Sequence, residues 1–359
     1  MAKELYLHIG TEKTGSTALQ AVSDINREAL FKHGIFYPKT PCERNQVRLT
    51  VFAGDGPDTR NLRKLVGLVP DNAYKKFKAH FADELRAEIR DSECSRIFLS
   101  NEHLSSRLIS AQEVTRLAAI LRPLADKVKV VVYLRPQSEL FLSSYSTAIK
   151  AGRIKALEPP TDILDPRYNY EKNLSLWADA FDEANVIVRI YDRNILVGGD
   201  VVKDFFSIMG YEPSSDITIP TDVNSRLDYV ALRFLQEFNR HVPLFVKERV
   251  NPERGDVANA LAKKSMTSAL GVPASTLRDI AKLYEKSNAE IARRFLGRSD
   301  GKLFEDLKYF DSPDGEVLTV EKAVEISAHL WRWKQRQYSK VKREFAALQE
   351  KMTSIQRRR

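Results

Sequence analysis

The stretch that most narrows what this chain can fold into runs from Leu5 to Val22. Leu5-Tyr6-Leu7-His8-Ile9 reads as a strand, Gly10-Thr11-Glu12-Lys13-Thr14-Gly15-Ser16-Thr17 as a glycine-bounded polar loop, and Ala18-Leu19-Gln20-Ala21-Val22 as the opening of a helix. Strand, loop and helix in that order turn successive backbone N–H groups and the positive end of the helix toward one point. That is an anion seat, to which Lys13, Ser16 and Thr17 add side-chain donors, and a phosphate is its expected guest. A nucleotide-triphosphate loop reads G-x-x-x-x-G-K-[ST], with lysine directly after the second glycine. Here Lys13 precedes Gly15 by two residues and Ser16 follows it, so a triphosphate is not the expected ligand.

Further strands alternate with amphipathic helices. Arg96 to Ser100 is a strand ending in Asn101-Glu102-His103-Leu104, which puts polar groups at the carboxyl edge of a parallel sheet, where ligands bind in such folds. Lys129 to Leu134 is apolar almost throughout and suits a buried parallel position, and Asn185 to Tyr191 supplies another. Helices are expected over 73–91, from a capping box at Ser110 to Glu113, after Arg135-Pro136, over Tyr170–Phe181 and over Val201–Met209. Residues 40–72 read as a long connection in which Asn45, Gln46 and Arg48 are first of all expected to be solvated surface residues and, second, candidates to line an entrance. The pattern implies an α/β three-layer sandwich with a central, mostly parallel sheet over 1–214, and a mainly helical region over 215–359 that completes the acceptor site or caps the core.

Composition sets the outer bounds. The 359 residues suffice for a full core, and the two cysteines, Cys42 and Cys94, support neither a disulfide scaffold nor a zinc site, so a reducing compartment is expected. A formal charge of +9 points to anionic partners without choosing among them. Met1-Ala2-Lys3-Glu4 leads straight into the first strand, and no apolar run reaches the length of a membrane span. A cytoplasmic protein is expected, free or resting on the inner face of the membrane.

Arg135, at the end of a strand, and Ser143, on the helix that follows, make a second anion site, in which arginine supplies a planar two-donor fork and serine a small neutral donor. A nucleotide phosphorylated at both its 5′ and 3′ positions would use both seats. With G-T-E-K-T-G-S-T near the start and Y-L-R-P-Q-S-E-L-F-L-S-S-Y later, the chain resembles the sulfotransferases that use 3′-phosphoadenosine 5′-phosphosulfate, most of all their bacterial carbohydrate-modifying branch. The likeness runs from the first strand to about Tyr211. It implies a P-loop-containing, sulfotransferase-like fold. It also implies a 5′-phosphosulfate loop of Gly10, Thr11, Lys13, Thr14, Gly15, Ser16, Thr17 and Ala18, with Lys13 drawing charge off the bridging oxygen, and a 3′-phosphate held by Arg135 and Ser143. The product would be adenosine 3′,5′-bisphosphate, no metal is called for, and the acceptor would be a saccharide or glycolipid hydroxyl, with acidic sugars among the options.

The base that takes the acceptor proton is Glu102 or His103. The resemblance implies a glutamate for glycans and a histidine for small molecules, and Glu102 is preferred. His8 is expected to be a packed strand residue, and Glu12 to order Lys13. Arg44, Arg48, Arg107, Lys150 and Arg153 are candidate acceptor contacts, Trp331 and Trp333 candidate sugar-stacking rings, Trp177 a core residue, and 247–264 a basic lid. Two other classes stay in view. A P-loop phosphotransferase is opposed by the position of Lys13, and a nucleic-acid or membrane-surface module by the lack of any nucleic-acid motif. In the final helix Tyr338, Val341, Phe345, Leu348, Met352 and Ile355 recur at steps of three and four. The first expectation is that this stripe packs on its own domain, the second a homodimer contact or a basic surface helix at a membrane.

Overall fold

The structure, a computed structural model, describes residues 2–42, 44–155, 157–219, 227–246, 249–262, 272–305 and 318–356. Its main sheet has five strands in the order β2-β3-β1-β4-β5: β1 (Glu4–Gly10), β2 (Ile35–Phe36), β3 (Arg96–Ser100), β4 (Lys127–Leu134) and β5 (Val186–Ile190). Every pairing in it is parallel, with Tyr6 opposite both Phe98 and Lys129. The expected α/β architecture is therefore present, with β1 at its centre.

Between these strands lie α1 (Ser16–Ile25), α2 (Arg27–Lys32), α3 (Arg48–Ala53), α4 (Pro57–Leu65), α5 (Asp71–Arg90), α6 (His103–Arg107), α7 (Ala111–Leu121), α8 (Gln137–Lys150) and α9 (Tyr170–Phe181). After β5 come α10 (Val201–Ile208), α11 (Tyr229–His241), the short antiparallel pair β6 (Phe245–Val246) and β7 (Arg249–Val250), and α12 (Val257–Ala262). The described chain closes with α13 (Ala274–Leu283), α14 (Glu285–Leu296) and α15 (Val320–Gln356). The capping box is as expected: Ser110 accepts from the Glu113 amide and the Glu113 carboxylate reaches back to the Ser110 amide.

Alternation along the strands divides the core. Tyr6, Phe98, Val131 and Tyr133 pack with Leu19 and Val22 of α1 and with Val202, Phe205 and Phe206 of α10. Their neighbours Leu5, Leu7, Ile97, Leu99, Val130 and Val132 have no solvent exposure and face the other way, where α9 packs on β4 and β5 and α14 on β5. Each such side chain contributes about 1.5–3 kcal/mol on burial. One charge is buried in this core. Asp204 accepts from Arg189, from Tyr133 Oη (2.8 Å) and from the Val197 amide (3.1 Å). Burial alone would raise its pKa, but these hydrogen bonds hold it below the usual carboxylate value.

Two expectations are corrected here. Residues 40–72 are not an open connection: Leu49, Val51, Phe52 and Ala53 of α3 are buried, and Val47, Val51 and Leu62 form a small cluster with Tyr74 and Phe77. Helices of six and nine residues are too short to show a period in sequence. Nor does the chain divide once, after residue 214. One compact unit comprises 1–141, 159–222 and 278–308, the other 142–158, 223–277 and 309–359. Within the second, Tyr145 and Ile149 of α8 pack with Val230 and Leu235 of α11, Val257 and Leu261 of α12, and Ile326 of α15.

Candidate active site

The loop between β1 and α1 has the geometry of an anion seat. Gly10 (φ +108°), Lys13 (φ +66°) and Gly15 (φ +83°) all take left-handed backbone angles. The two glycines also make room. A Cβ on Gly10 would stand 3.1 Å from the Glu102 Cα and carbonyl, and one on Gly15 would stand 2.6 Å from Val201 Cγ1. The base of the loop is tied down where Thr11 donates twice to the Tyr133 carbonyl, from its amide (3.0 Å) and its hydroxyl (2.9 Å). Above it, the backbone N–H groups of Lys13, Thr14, Gly15, Ser16 and Thr17 donate to no acceptor among the described residues, and no side chain caps α1. Five consecutive donors at a helix N-terminus are what a phosphate-like group requires.

The Thr14 and Ser16 hydroxyls are buried and donate back to the Thr11 carbonyl, at 2.6 and 3.4 Å, which ties them to the base of the loop. Thr17 and Ala18 are exposed. Lys13 is half-buried. Burial pushes its pKa below the ordinary lysine value, the nearby carboxylates of Glu12 and Glu102 act against that, and the charge of Arg135 acts with it.

Glu102 stands where β3 gives way to α6, held by an amide network. Gln20 Nε2 of α1 donates to one carboxylate oxygen (2.7 Å) and Asn45 Nδ2 to the other (3.2 Å). Behind these, Asn101 donates to Asn45 and accepts from Thr50 (2.6 Å), while Gln20 also reaches Ser100 Oγ (3.3 Å). Each Glu102 oxygen thus keeps a lone pair beyond its amide partner, as a fixed proton acceptor does. Of the expected entrance residues, Asn45 joins this network. Gln46 is fully buried and stitches the chain to β3, accepting from the Ser100 amide (2.7 Å).

His103 lies beside a second acid. Its Nδ1 is 3.5 Å from a Glu12 oxygen, which is also 3.5 Å from Arg107 and accepts from Ser106 (2.9 Å). Burial tends to raise the Glu12 pKa, but the close approach and charge of His103, the charge of Arg107 and the Ser106 hydroxyl bring it down to about 2. Glu12 thus orders His103 and Arg107, with its charge also felt at Lys13. Arg167, not singled out by any sequence pattern, stands in the same field. It forks onto Asp165 (2.5–3.2 Å), and the charges of Glu12 on Arg167 and of Arg107 on Asp165 are both felt.

Arg135 is buried at the end of β4. One terminal nitrogen donates to the Lys13 carbonyl (2.9 Å) and the other to Glu139 (2.7 Å). It braces the lysine's own backbone, a link that neither motif announces. Ser143 is half-buried on α8, in the part of that helix that belongs to the second unit. His8 is the packed strand residue expected: it shares a hydrogen bond with Ser100 Oγ (2.8 Å), and burial pushes its pKa down to about 3. Trp177 is core.

The lid reading of 247–264 does not hold for its described residues. Arg254 is buried and donates to the Val242 carbonyl (2.9 Å), and Val257 and Leu261 are core. Lys247, Lys263 and Lys264 lie outside the described residues. Among the described residues no group of acidic, histidine or cysteine side chains is placed to hold a metal, and no helix is long and apolar enough to cross a membrane.

No protein-family model matches the chain. Over 121 residues it is 30% identical to an uncharacterized protein of Archaeoglobus fulgidus, a stretch covering 34% of this chain and 33% of that one. The chain thus spans about a third of the length of the curated relative it matches. Among solved structures it is similar to a sulfotransferase from Alicyclobacillus acidocaldarius, at 15% identity and a TM-score of 0.34, over 67% of this chain and 94% of that one.

Proposed function

We propose that the chain is a sulfotransferase that moves a sulfuryl group from 3′-phosphoadenosine 5′-phosphosulfate to a hydroxyl of a saccharide or glycolipid. The observation that carries this reading is the run of five backbone N–H groups at Lys13 to Thr17, with the Lys13 ammonium beside them and Glu102 close enough to act on its charge. The nucleotide brings the activated sulfur–oxygen bond, and the chain's own groups do the rest. The loop amides hold the phosphosulfate in place. Lys13 supplies positive charge where the departing phosphate oxygen gains negative charge, and such a preorganised donor is worth about 3 kcal/mol in a transition state. Glu102, held by Gln20 and Asn45, takes the acceptor's proton as its oxygen bonds to sulfur. As in phosphoryl transfer, positioning and electrostatics supply the acceleration.

Arg135 serves this reading by bracing the Lys13 backbone, and together with Ser143 is the proposed holder of the 3′-phosphate. Arg107 is the proposed contact for an acidic acceptor. Calorimetric titration with adenosine 3′,5′-bisphosphate tests the assignment. Micromolar binding that weakens at least tenfold in Lys13→Ala and in Arg135→Ala is expected. Absence of binding, or tighter binding of ATP with magnesium-dependent hydrolysis, would overturn it. Transfer of labelled sulfate to saccharide fractions, lost in Glu102→Gln and retained in His103→Asn, would assign the base.

A further inference from the structure

The 37-residue helix α15 carries two faces. Near its start Ile326 is buried, Leu330 packs on the second unit's core, and His329 Nε2 donates to the Ala260 carbonyl (3.0 Å). The other face is bare. Val320, Val324 and Trp331, then Tyr338, Val341, Phe345, Leu348 and Met352, are each between 59% and 75% exposed. Of the stripe expected to pack on its own domain, Tyr338, Val341, Phe345, Leu348 and Met352 do not.

These eight residues fall on a single 3-4 repeat. With Val324, Trp331, Tyr338, Phe345 and Met352 at the first position of successive heptads, Val320, Val341 and Leu348 take the fourth. At roughly 100° per residue, positions 326 and 329 lie well over a quarter-turn from the seam and Leu330 lies along its edge, so self-packing covers that edge near the start of the helix and leaves the seam residues themselves exposed. A strict seam of two positions in seven, repeated over about 48 Å, is the narrow stripe of a helix that supercoils with another rather than the broad face of one lying on a core or a membrane. Ser327 and Lys334 are its polar interruptions, of the kind that set register.

We propose that this seam pairs with the same seam of a second copy of the chain. Two observations favour a second copy over other occupants. The exposed seam amounts to on the order of 1,000 Å² per chain, so roughly 2,000 Å² would be buried between two, the size of a stable specific interface. The charges are also placed for it. Arg332, Arg336, Lys340 and Arg343 fall on outer positions, while the positions flanking the second half of the seam are Gln335, Gln337, Lys342, Glu344, Gln349 and Lys351, three of them uncharged and one acidic. Uncharged or mixed edges let two identical helices approach, whereas a helix seated on anionic lipid gains from basic residues at those edges.

Sedimentation equilibrium of the full chain over a concentration series tests this. Twice the chain mass is expected, with Val341→Gln/Phe345→Gln weakening self-association at least a hundredfold and Arg336→Gln, an outer-position control, leaving it unchanged. The thermal transition of the full chain shows that the variants are folded. A monomer at all concentrations would overturn the proposal, as would a dimer that survives the double substitution. A monomer that floats with phosphatidylserine vesicles and not with neutral ones would assign the seam to a membrane instead.

Discussion

At the scale of single residues, Lys13 and Glu12 sit side by side and titrate for opposite reasons. Burial lowers the Lys13 pKa below 10.5, and in the proposed reaction the charged ammonium is the form required to stabilise the leaving phosphate. Activity should therefore persist below that pKa and fall as pH rises through it, giving a pH–rate profile whose alkaline limb lies below that of an ordinary lysine. Lys13→Ala should lose both that limb and about 10²–10³ in turnover. Glu12 has a folded pKa of about 2 against an ordinary 4.5. Its contribution to stability is fully present above 4.5 and is lost as pH falls through 2. Urea denaturation between pH 5 and 2 should show wild type losing stability more steeply than Glu12→Gln. Lys13 was legible because a motif is local. The partners of Glu12 were not, since His103, Ser106 and Arg107 lie more than ninety positions away and no short pattern joins them. Arg167 escaped notice for the same reason.

At the scale of elements, the anion loop depends on helices that are not part of it. Gly15 backs onto Val201 of α10, and its left-handed φ excludes a side chain on steric grounds as well. Gly15→Ala is expected to cost about 1–3 kcal/mol, read as a lower thermal midpoint, and to weaken nucleotide binding in the same variant. The strands were readable because apolar runs ending in Ser100, Leu134 and Ile190 are bounded by polar residues or proline. Their order was not, because parallel pairing leaves no signal in chain order: β1 lies between β3 and β4, neither of which follows it directly. The short helices α3 and α4 were missed, and with them the amide network that holds Glu102, since Asn45 and Thr50 approach it only once those turns have formed.

At the scale of the whole molecule, the first unit recruits residues from late in the chain. Asn288 of α14 and Gln137 exchange side-chain hydrogen bonds (2.8 and 3.0 Å), Arg294 pairs with Glu183 (2.7 Å), and α14 packs on α9 and β5. A fragment ending at residue 214 lacks all of these contacts. It should melt at a lower temperature than the full chain and bind adenosine 3′,5′-bisphosphate more weakly, a comparison open to calorimetry. Sequence reading placed a boundary near 214 because composition shifts there, but composition does not record that the chain returns. The central position of β1 has a further consequence during synthesis. The loop is made before the parts that support it: its strand gains one neighbour only at Arg96 and the other at Lys127, its glycine gains its backstop at Val201, and the unit is closed by α14. The proposed nucleotide seat is thus made well before it can work, and a nascent chain is expected to bind adenosine 3′,5′-bisphosphate only after nearly all of that support has been translated.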